Sequence, residues 1–228
     1  MSRIDLERDG EVFVLRMKVG ENRFNADFLA DLDNALAEVE ASEGPAALVT
    51  TGEGKFYSNG LDLDWLMDKG EAGRSFVGSM LITFARILAC PLPTAAAING
   101  HAFAAGGMMA LAHDYRVMRE DRGYFCLPEI DLGIPLVEGM TELIRSKFSG
   151  ALLRDTVLAG VRIGGTEAVE RGAVDAAVAE DEVVARAVEL VAPHAAKDRA
   201  TRVALKRSVF REALAVMEDP ARSMIGGI

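Results

Sequence analysis

The chain has 228 residues, 50% hydrophobic and 26% charged, a composition that buries a core at a length suited to one domain. Its 25 basic and 35 acidic residues leave a net charge of -10, which excludes the basic footprint of a nucleic-acid binder. Only Cys90 and Cys126 are present, so neither a disulfide framework nor a zinc spacing exists and a reducing, cytoplasmic setting is expected.

The N-terminus, M-S-R-I-D-L-E-R-D, carries no apolar signal core. No apolar run approaches the ~18–20 residues of a membrane span, so no membrane partner is expected. Residues 4–8 and 12–17 read as two strands around the turn Asp9-Gly10. Asn25 is placed to cap a helix running to about Ser42, with Phe28, Leu29, Leu32, Leu36 and Val39 at helical spacing. The run A-A-L-V-T, 46–50, suits a buried parallel strand. A loop, T-G-E-G-K-F-Y-S-N-G-L-D-L, follows, then a helix over about 74–89 that Cys90-Pro91 stops. Residues 93–98 read as another buried strand ending at Asn99-Gly100.

H-A-F-A-A-G-G-M-M-A-L-A-H-D then passes from a small-residue loop into an apolar helix. Residues 115–118 and 124–126 read as strands split by a polar turn. Beyond Leu136 the pattern is helical, with one last short strand at 175–178. Strand and helix alternate and the strands are apolar throughout, which argues an α/β fold with crossovers. No internal repeat or low-complexity linker interrupts it.

Several chemistries find no support. G-x-S-x-G, a P-loop and H-E-x-x-H are all missing, and the three histidines, His101, His113 and His194, read as structural or surface groups. Gly100, Gly106 and Gly107 do not fit a dinucleotide fingerprint. Two loops share another design. S-N-G-L-D, 58–62, and A-F-A-A-G-G, 102–107, each follow a buried strand, use small residues and precede a helix. The free N–H groups at such a turn favour an anion, and two together suit a developing oxyanion. Tight packing explains small residues equally well. Downstream lies F-C-L-P-E-I-D-L-G-I-P, with Glu129 inside an apolar run. Alone, that carboxylate is more often one half of a buried ion pair than a reactive group.

Taken together, F-Y-S-N-G-L-D-L, I-N-G-H-A-F-A-A-G-G-M-M-A-L-A-H-D-Y-R-V and F-C-L-P-E-I-D-L-G resemble the crotonase, or enoyl-CoA hydratase/isomerase, superfamily in order and spacing. G-G-T-E-A-V-E-R-G-A-V-D-A-A-V is similar to a later helix–turn–strand segment of that family. Within it, S-N-G and A-H-D-Y-R-V-M-R-E-D-R-G-Y look most like the Δ3,Δ2-enoyl-CoA isomerases of plant peroxisomal type. The resemblance implies a crotonase-like (ClpP/crotonase) α/β spiral of ββα units over 1–195 and a C-terminal helical region over 196–228. It also implies a homotrimer or dimer of trimers.

Site residues follow from the same resemblance. The N–H groups of Leu61 and Ala105 match the two oxyanion donors, although the family favours Gly where Ala105 stands. Glu129 matches a catalytic carboxylate. A second glutamate of the hydratases is matched by Met108, a weak acceptor at best. Water activation needs two carboxylates, whereas moving a double bond needs one base that returns its proton, so isomerisation of a 3-enoyl-CoA is the expected reaction. The alternatives are hydration or other crotonase-type chemistry, and a non-catalytic acyl-CoA-binding paralogue. Coenzyme A enters as part of the substrate and no separate cofactor is expected. Its contacts are expected at Asn22, Arg23, Phe24, Ser58, Asn59, Gly60, Asp62, Gly106 and Met108, with Lys206 or Arg207 near its phosphates. Trp65, Phe76, Met80 and Phe84 are candidates for an acyl pocket, though helical spacing makes them core residues first. Asp131 is expected on the opposite face from Glu129, Asp62 as a helix cap and Asp114 as a turn residue.

Overall fold

A computed structural model describes residues 3–219 and 222; the remaining parts of the expected 1–195 and 196–228 regions lie outside the described residues. The chain opens with β1 (Ile4–Asp9), β2 (Val12–Met17) and α1 (Ala26–Glu40). Next come β3 (Ala47–Gly52), β4 (Phe56–Ser58), α2 (Leu63–Lys69) and α3 (Glu71–Leu88). The third unit is β5 (Thr94–Ile98), β6 (His101–Phe103) and α4 (Ala105–Ala112), and the fourth is β7 (Tyr115–Arg119), β8 (Phe125–Cys126) and α5 (Glu129–Leu132). There follow α6 (Glu138–Arg145), α7 (Gly150–Leu158), α8 (Gly165–Glu170), β9 (Ala176–Val178), α9 (Val183–Val191), α10 (Arg199–Val209) and α11 (Arg211–Met217).

Strands β1-β2-β3-β5-β7-β9 form one sheet and β4-β6-β8 a second. Only β1 runs antiparallel to its neighbour. Each of the three central units therefore gives one strand to each sheet before its helix, which is the spiral the ββα order implies. The corners between the two sheets stack on one another. A Cβ on Gly100 would lie 2.1 Å from the Lys55 carbonyl oxygen, so no larger residue fits that corner.

β3 and β5 are buried at every position, as continuous apolar runs at the middle of a parallel sheet require. Helix α9 covers one face, setting Val183, Ala187 and Val191 against Val12, Val49, Ala97 and Val117. Helices α1, α3 and α4 cover the other with Leu32, Leu36, Phe84 and Met109. Ala213, Leu214 and Met217 of α11 join this second core, and α11 packs on α3 and α6. Asn25 caps α1 as its position suggests, accepting from the Phe28 N–H at 3.0 Å. Asp62 caps α2 through the Trp65 N–H at 3.2 Å.

Three expectations need correction. The segment read as one loop after β3 contains β4, because three residues suffice to pair with β6 and carry no alternation to detect. Helix α3 starts at Glu71, three residues early, after Gly70 at φ 54° breaks it from α2. The stretch from Glu129 is a helical turn rather than strand, closed by Gly133 in the left-handed region. Alternation therefore does not place Asp131; it is exposed because it sits on the outer side of that turn.

Candidate functional site

The two small-residue loops meet. Gly60, at φ 82°, lies so close to the second loop that a Cβ there would come within 2.9 Å of the Ala104 Cβ and 3.3 Å of the Ala105 nitrogen. A Cβ on Gly106 would likewise sit 2.4 Å from the Ser58 carbonyl oxygen. Glycine at 60 and 106 is thus what allows the contact.

The first loop is tied to the segment before α1. Phe24 N–H donates to Gly60 O at 2.8 Å, Asp62 N–H to Phe24 O at 3.0 Å, and Asn59 N–H to Glu21 O at 2.9 Å. Gly60 N–H donates to Ser58 Oγ at 3.2 Å, and Ser58 Oγ donates to Asn22 O at 2.7 Å. These bonds use the N–H groups on either side of Leu61 and leave its own without a protein acceptor among the described residues. On the second loop, Ala104 N–H donates to Cys126 O at 3.0 Å. Ala105 then opens α4, a fully buried helix with no side-chain cap. Its N–H therefore has no intrahelical acceptor and lies at the positive end of the helix dipole.

The substitution flagged at Ala105 proves harmless, since Ala105 is helical. The strained residue is its neighbour: Ala104 sits at φ 50°, ψ −124°, a region that favours glycine.

Glu129 follows β8 through Leu127 and Pro128 and opens α5. It shares a cavity of about 310 Å³ with Leu61, Ala104, Ala105, Arg23 and Asn59. Apolar side chains from Phe103, Leu132, Ile134 and Met140 line much of the rest, and Cys126 and Arg162 lie at its edge. Glu129 is the only carboxylate of the lining among the described residues. Its Oε2 is buried without a hydrogen-bond partner, and no ion pair to it exists among the described residues. Burial pushes its pKa up to about 7, opposed only weakly by its own N–H. The ion-pair reading of this residue is thereby overturned.

The structure divides the expected contact residues. Arg23, Asn59, Leu61, Ala105 and Glu129 line the cavity. Arg23 is held by Glu21 at 2.6 Å, and Asn59 Nδ2 donates to the same carboxylate at 2.8 Å. Asn22, Phe24, Ser58, Gly60, Asp62, Gly106 and Met108 are not among the lining residues. Asn22 is buried and donates to the carbonyls of Met17, Phe56 and Tyr57; it shapes the loop. Phe24 stacks edge-on with Phe28 and Phe84 in the core. Ser58, Gly60 and Asp62 fix the loop through the bonds already described. Met108 is fully buried in the core.

Trp65, Phe76, Met80 and Phe84 also stay out of the cavity. Phe76, Met80 and Phe84 are core, and Trp65 packs on Phe76 at 5.0 Å. Lys206 is buried and ion-paired with Asp114 at 2.8 Å, and Arg207 pairs with Glu218 at 2.8 Å. Asp114 is more than a turn residue, since it also accepts the Thr94 N–H at 3.0 Å. Sequence reasoning missed Phe103, Leu132, Ile134, Met140 and Arg162. A usable signal existed for two of them, because Leu132 and Ile134 continue the short run that begins at Glu129.

Under the site runs a buried polar chain. Tyr57 Oη lies 2.8 Å from Thr50 Oγ1, which lies 3.0 Å from His113 Nε2; His113 Nδ1 lies 2.9 Å from Met109 O. Burial pushes the His113 pKa down to about 3, so the ring is neutral, with Nδ1–H donating to Met109 and Nε2 accepting from Thr50. The chain links β4, which leads to the first loop, with the end of α4, which begins at the second. Among the described residues no group of three His, Cys, Asp or Glu is placed to hold a metal.

Residues 7–222 match the family described as enoyl-CoA hydratase/isomerase. The chain is 37% identical to the Arabidopsis thaliana protein named enoyl-CoA delta isomerase 2, peroxisomal, over 93% of this chain and 94% of that one. It is 40% identical to enoyl-CoA delta isomerase 3 of the same plant, over 75% of each. Its fold is similar to the crystal structure of human mitochondrial delta3-delta2-enoyl-CoA isomerase, with a TM-score of 0.89 and 23% identity over 97% of this chain and 89% of that one.

Proposed function

The chain belongs to the enoyl-CoA hydratase/isomerase family, and from that premise we propose that it is a Δ3,Δ2-enoyl-CoA isomerase of fatty-acid metabolism, converting 3-enoyl-CoA to trans-2-enoyl-CoA. One observation supports the choice within the family: among the described residues the cavity holds a single carboxylate, Glu129, with one oxygen unpartnered. Hydration needs a second group to hold and activate water. Isomerisation needs one base.

In this reading the thioester oxygen lies against the N–H groups of Leu61 and Ala105. Glu129 removes a proton from C2; the C–H electron pair forms a C1–C2 double bond as the carbonyl π pair moves onto the thioester oxygen, giving a dienolate conjugated with the intact C3–C4 double bond. The charge that collects on the thioester oxygen is stabilised by the two N–H groups and the α4 dipole. The protonated Glu129 then delivers the proton to C4, and the double bond comes to rest between C2 and C3. A pKa raised to about 7 suits a group that must both take and return a proton near neutrality. The apolar side chains of Phe103, Leu132, Ile134 and Met140 offer competing water few hydrogen-bond partners. The coenzyme A portion of the intact thioester extends past Arg23 and Asn59, on the first-loop side. Self-association, as a trimer or dimer of trimers, and a cytoplasmic location belong to the same proposal; light scattering on the purified protein tests the first.

The enzymatic test is direct. Purified protein mixed with 3-hexenoyl-CoA is expected to generate the absorbance of the conjugated thioester, and Glu129→Gln to lose about 10²–10⁴ of the rate. Efficient hydration of crotonyl-CoA would point instead to a hydratase. Tight acyl-CoA binding with no turnover of any enoyl-CoA would point to a non-catalytic binder.

A further inference from the structure

A second groove lies away from the Glu129 cavity. It measures about 560 Å³ and runs between the start of β7, the segment after α6 and helix α10. Its charged lining is Lys147, Lys197, Arg202 and Lys206 against Asp114 and Asp198. Both acids are already engaged: Asp114 pairs with Lys206 at 2.8 Å, and Asp198 caps α10 through the Thr201 N–H at 2.8 Å. Lys147, Lys197 and Arg202 have no carboxylate partner among the described residues. Arg202 Nη2 donates to His194 O at 3.1 Å, yet its Nε is buried without any acceptor. In a chain of net charge -10, this is a local surplus of positive charge shaped to receive an anion.

Lys147 stands apart within this groove. It is half-buried, with Nζ 4.2 Å from the centroid of the Phe210 ring and 3.2 Å from the His113 carbonyl oxygen. Arg116 Nη1 donates to the same carbonyl at 3.1 Å. The amine thus shares its backbone acceptor with a guanidinium and lies over a ring face, a cation–π contact that by itself favours the charged form against the effect of burial. Burial, first, and then the positive charges of Arg116 and Lys206 favour its neutral form, against Asp114 and Asp175, which oppose them; its pKa falls to about 7.

We propose that Lys147 is an acylation site, its amine taking the acyl group of an acyl-CoA whose phosphates are drawn into the groove by Lys197 and Arg202. The neutral Nζ lone pair attacks the thioester carbonyl, the C–S bond breaks and coenzyme A leaves as thiolate. The nitrogen gives up its extra proton to that thiolate, so that one amide and one free thiol are formed and no oxidant or further reactant is consumed. The site is separate from the Glu129 cavity and does not depend on the isomerase reading.

The experiment is acylation of the purified wild-type protein with acetyl-CoA at pH 7, read as site occupancy at each lysine by peptide mass spectrometry over time. An ordinary lysine amine is neutral in only about one molecule in 2,500 at that pH. Lys147 is therefore expected to acetylate at least about ten times faster than the exposed Lys55 and Lys69. Arg202→Gln is expected to slow Lys147, but not Lys55 or Lys69, by at least about three-fold at low salt. The N-acetylcysteamine thioester of acetate, which lacks phosphates, is expected to lose this dependence on Arg202. Glu129→Gln protein should label as wild type does, whatever its isomerase activity. Equal rates at Lys147, Lys55 and Lys69 would overturn the proposal, and so would an Arg202→Gln rate with acetyl-CoA equal to that of wild type.

Discussion

Replacing Glu129 with Gln is expected to stabilise the folded protein at pH 8 while removing its activity. The free carboxyl titrates near 4.5 and the folded one near 7. Between these values the folded state keeps a proton that the unfolded chain has released, so stability falls as pH rises through the window and the full cost stands above pH 7. At about 1.36 kcal/mol per pKa unit the cost is about 3 kcal/mol. Water entering the open side of the cavity reduces it, leaving about 1–3 kcal/mol for the variant to recover. Urea unfolding of both proteins at pH 5 and pH 8 measures this. Gln is expected to be the more stable at pH 8, and the gap to close to within about 0.5 kcal/mol at pH 5. A buried ion pair gives the opposite sign, since removing one partner costs about 3–5 kcal/mol. A variant less stable than wild type at pH 8 would therefore refute the unpaired carboxylate.

With Glu129 as the base, kcat/KM for 3-hexenoyl-CoA should rise about ten-fold per pH unit on the acid side and level off above about pH 7; a flat profile from pH 5 to 8 would exclude that role. Ala104→Gly should leave stability unchanged or raise it by up to about 1 kcal/mol, because relief of the left-handed strain offsets the added chain entropy; thermal melting that falls by more than about 5 °C contradicts the strain. His113, with a folded pKa near 3 against 6.5 unfolded, contributes stability that is complete above pH 6.5 and is lost as pH falls toward 3, at up to about 1.4 kcal/mol per pH unit. His113→Gln should flatten that slope in urea titrations between pH 7 and 4.

Much of the architecture is legible in the sequence because its signals are local. The Asp9-Gly10 turn, the Asn25 cap and the apolar runs of β3 and β5 each declare themselves within a few residues. The two-residue β8 and three-residue β4 are less visible, since they are strands only by virtue of partners brought by the spiral. For the site, the motif order placed Leu61, Ala105 and Glu129 on one cavity. It placed Asn22, Phe24 and Met108 there too, and the structure puts all three in the interior. A motif records which residues a loop needs. It does not separate the side chain that lines the cavity from the one that holds the loop behind it.

The sequence by itself determined the strand–helix order, the small residues that let two loops touch and the presence of one carboxylate in an apolar stretch. These are properties of composition and spacing, and they survive without knowledge of what lies opposite. Only the tertiary structure decided that Glu129 has no charged partner among the described residues, that strain sits on Ala104 rather than Ala105, and that Lys206 is spent on Asp114 while Lys147 faces an open groove. Each of those depends on which distant residue arrives within hydrogen-bond reach, a matter of long-range packing that no local pattern encodes.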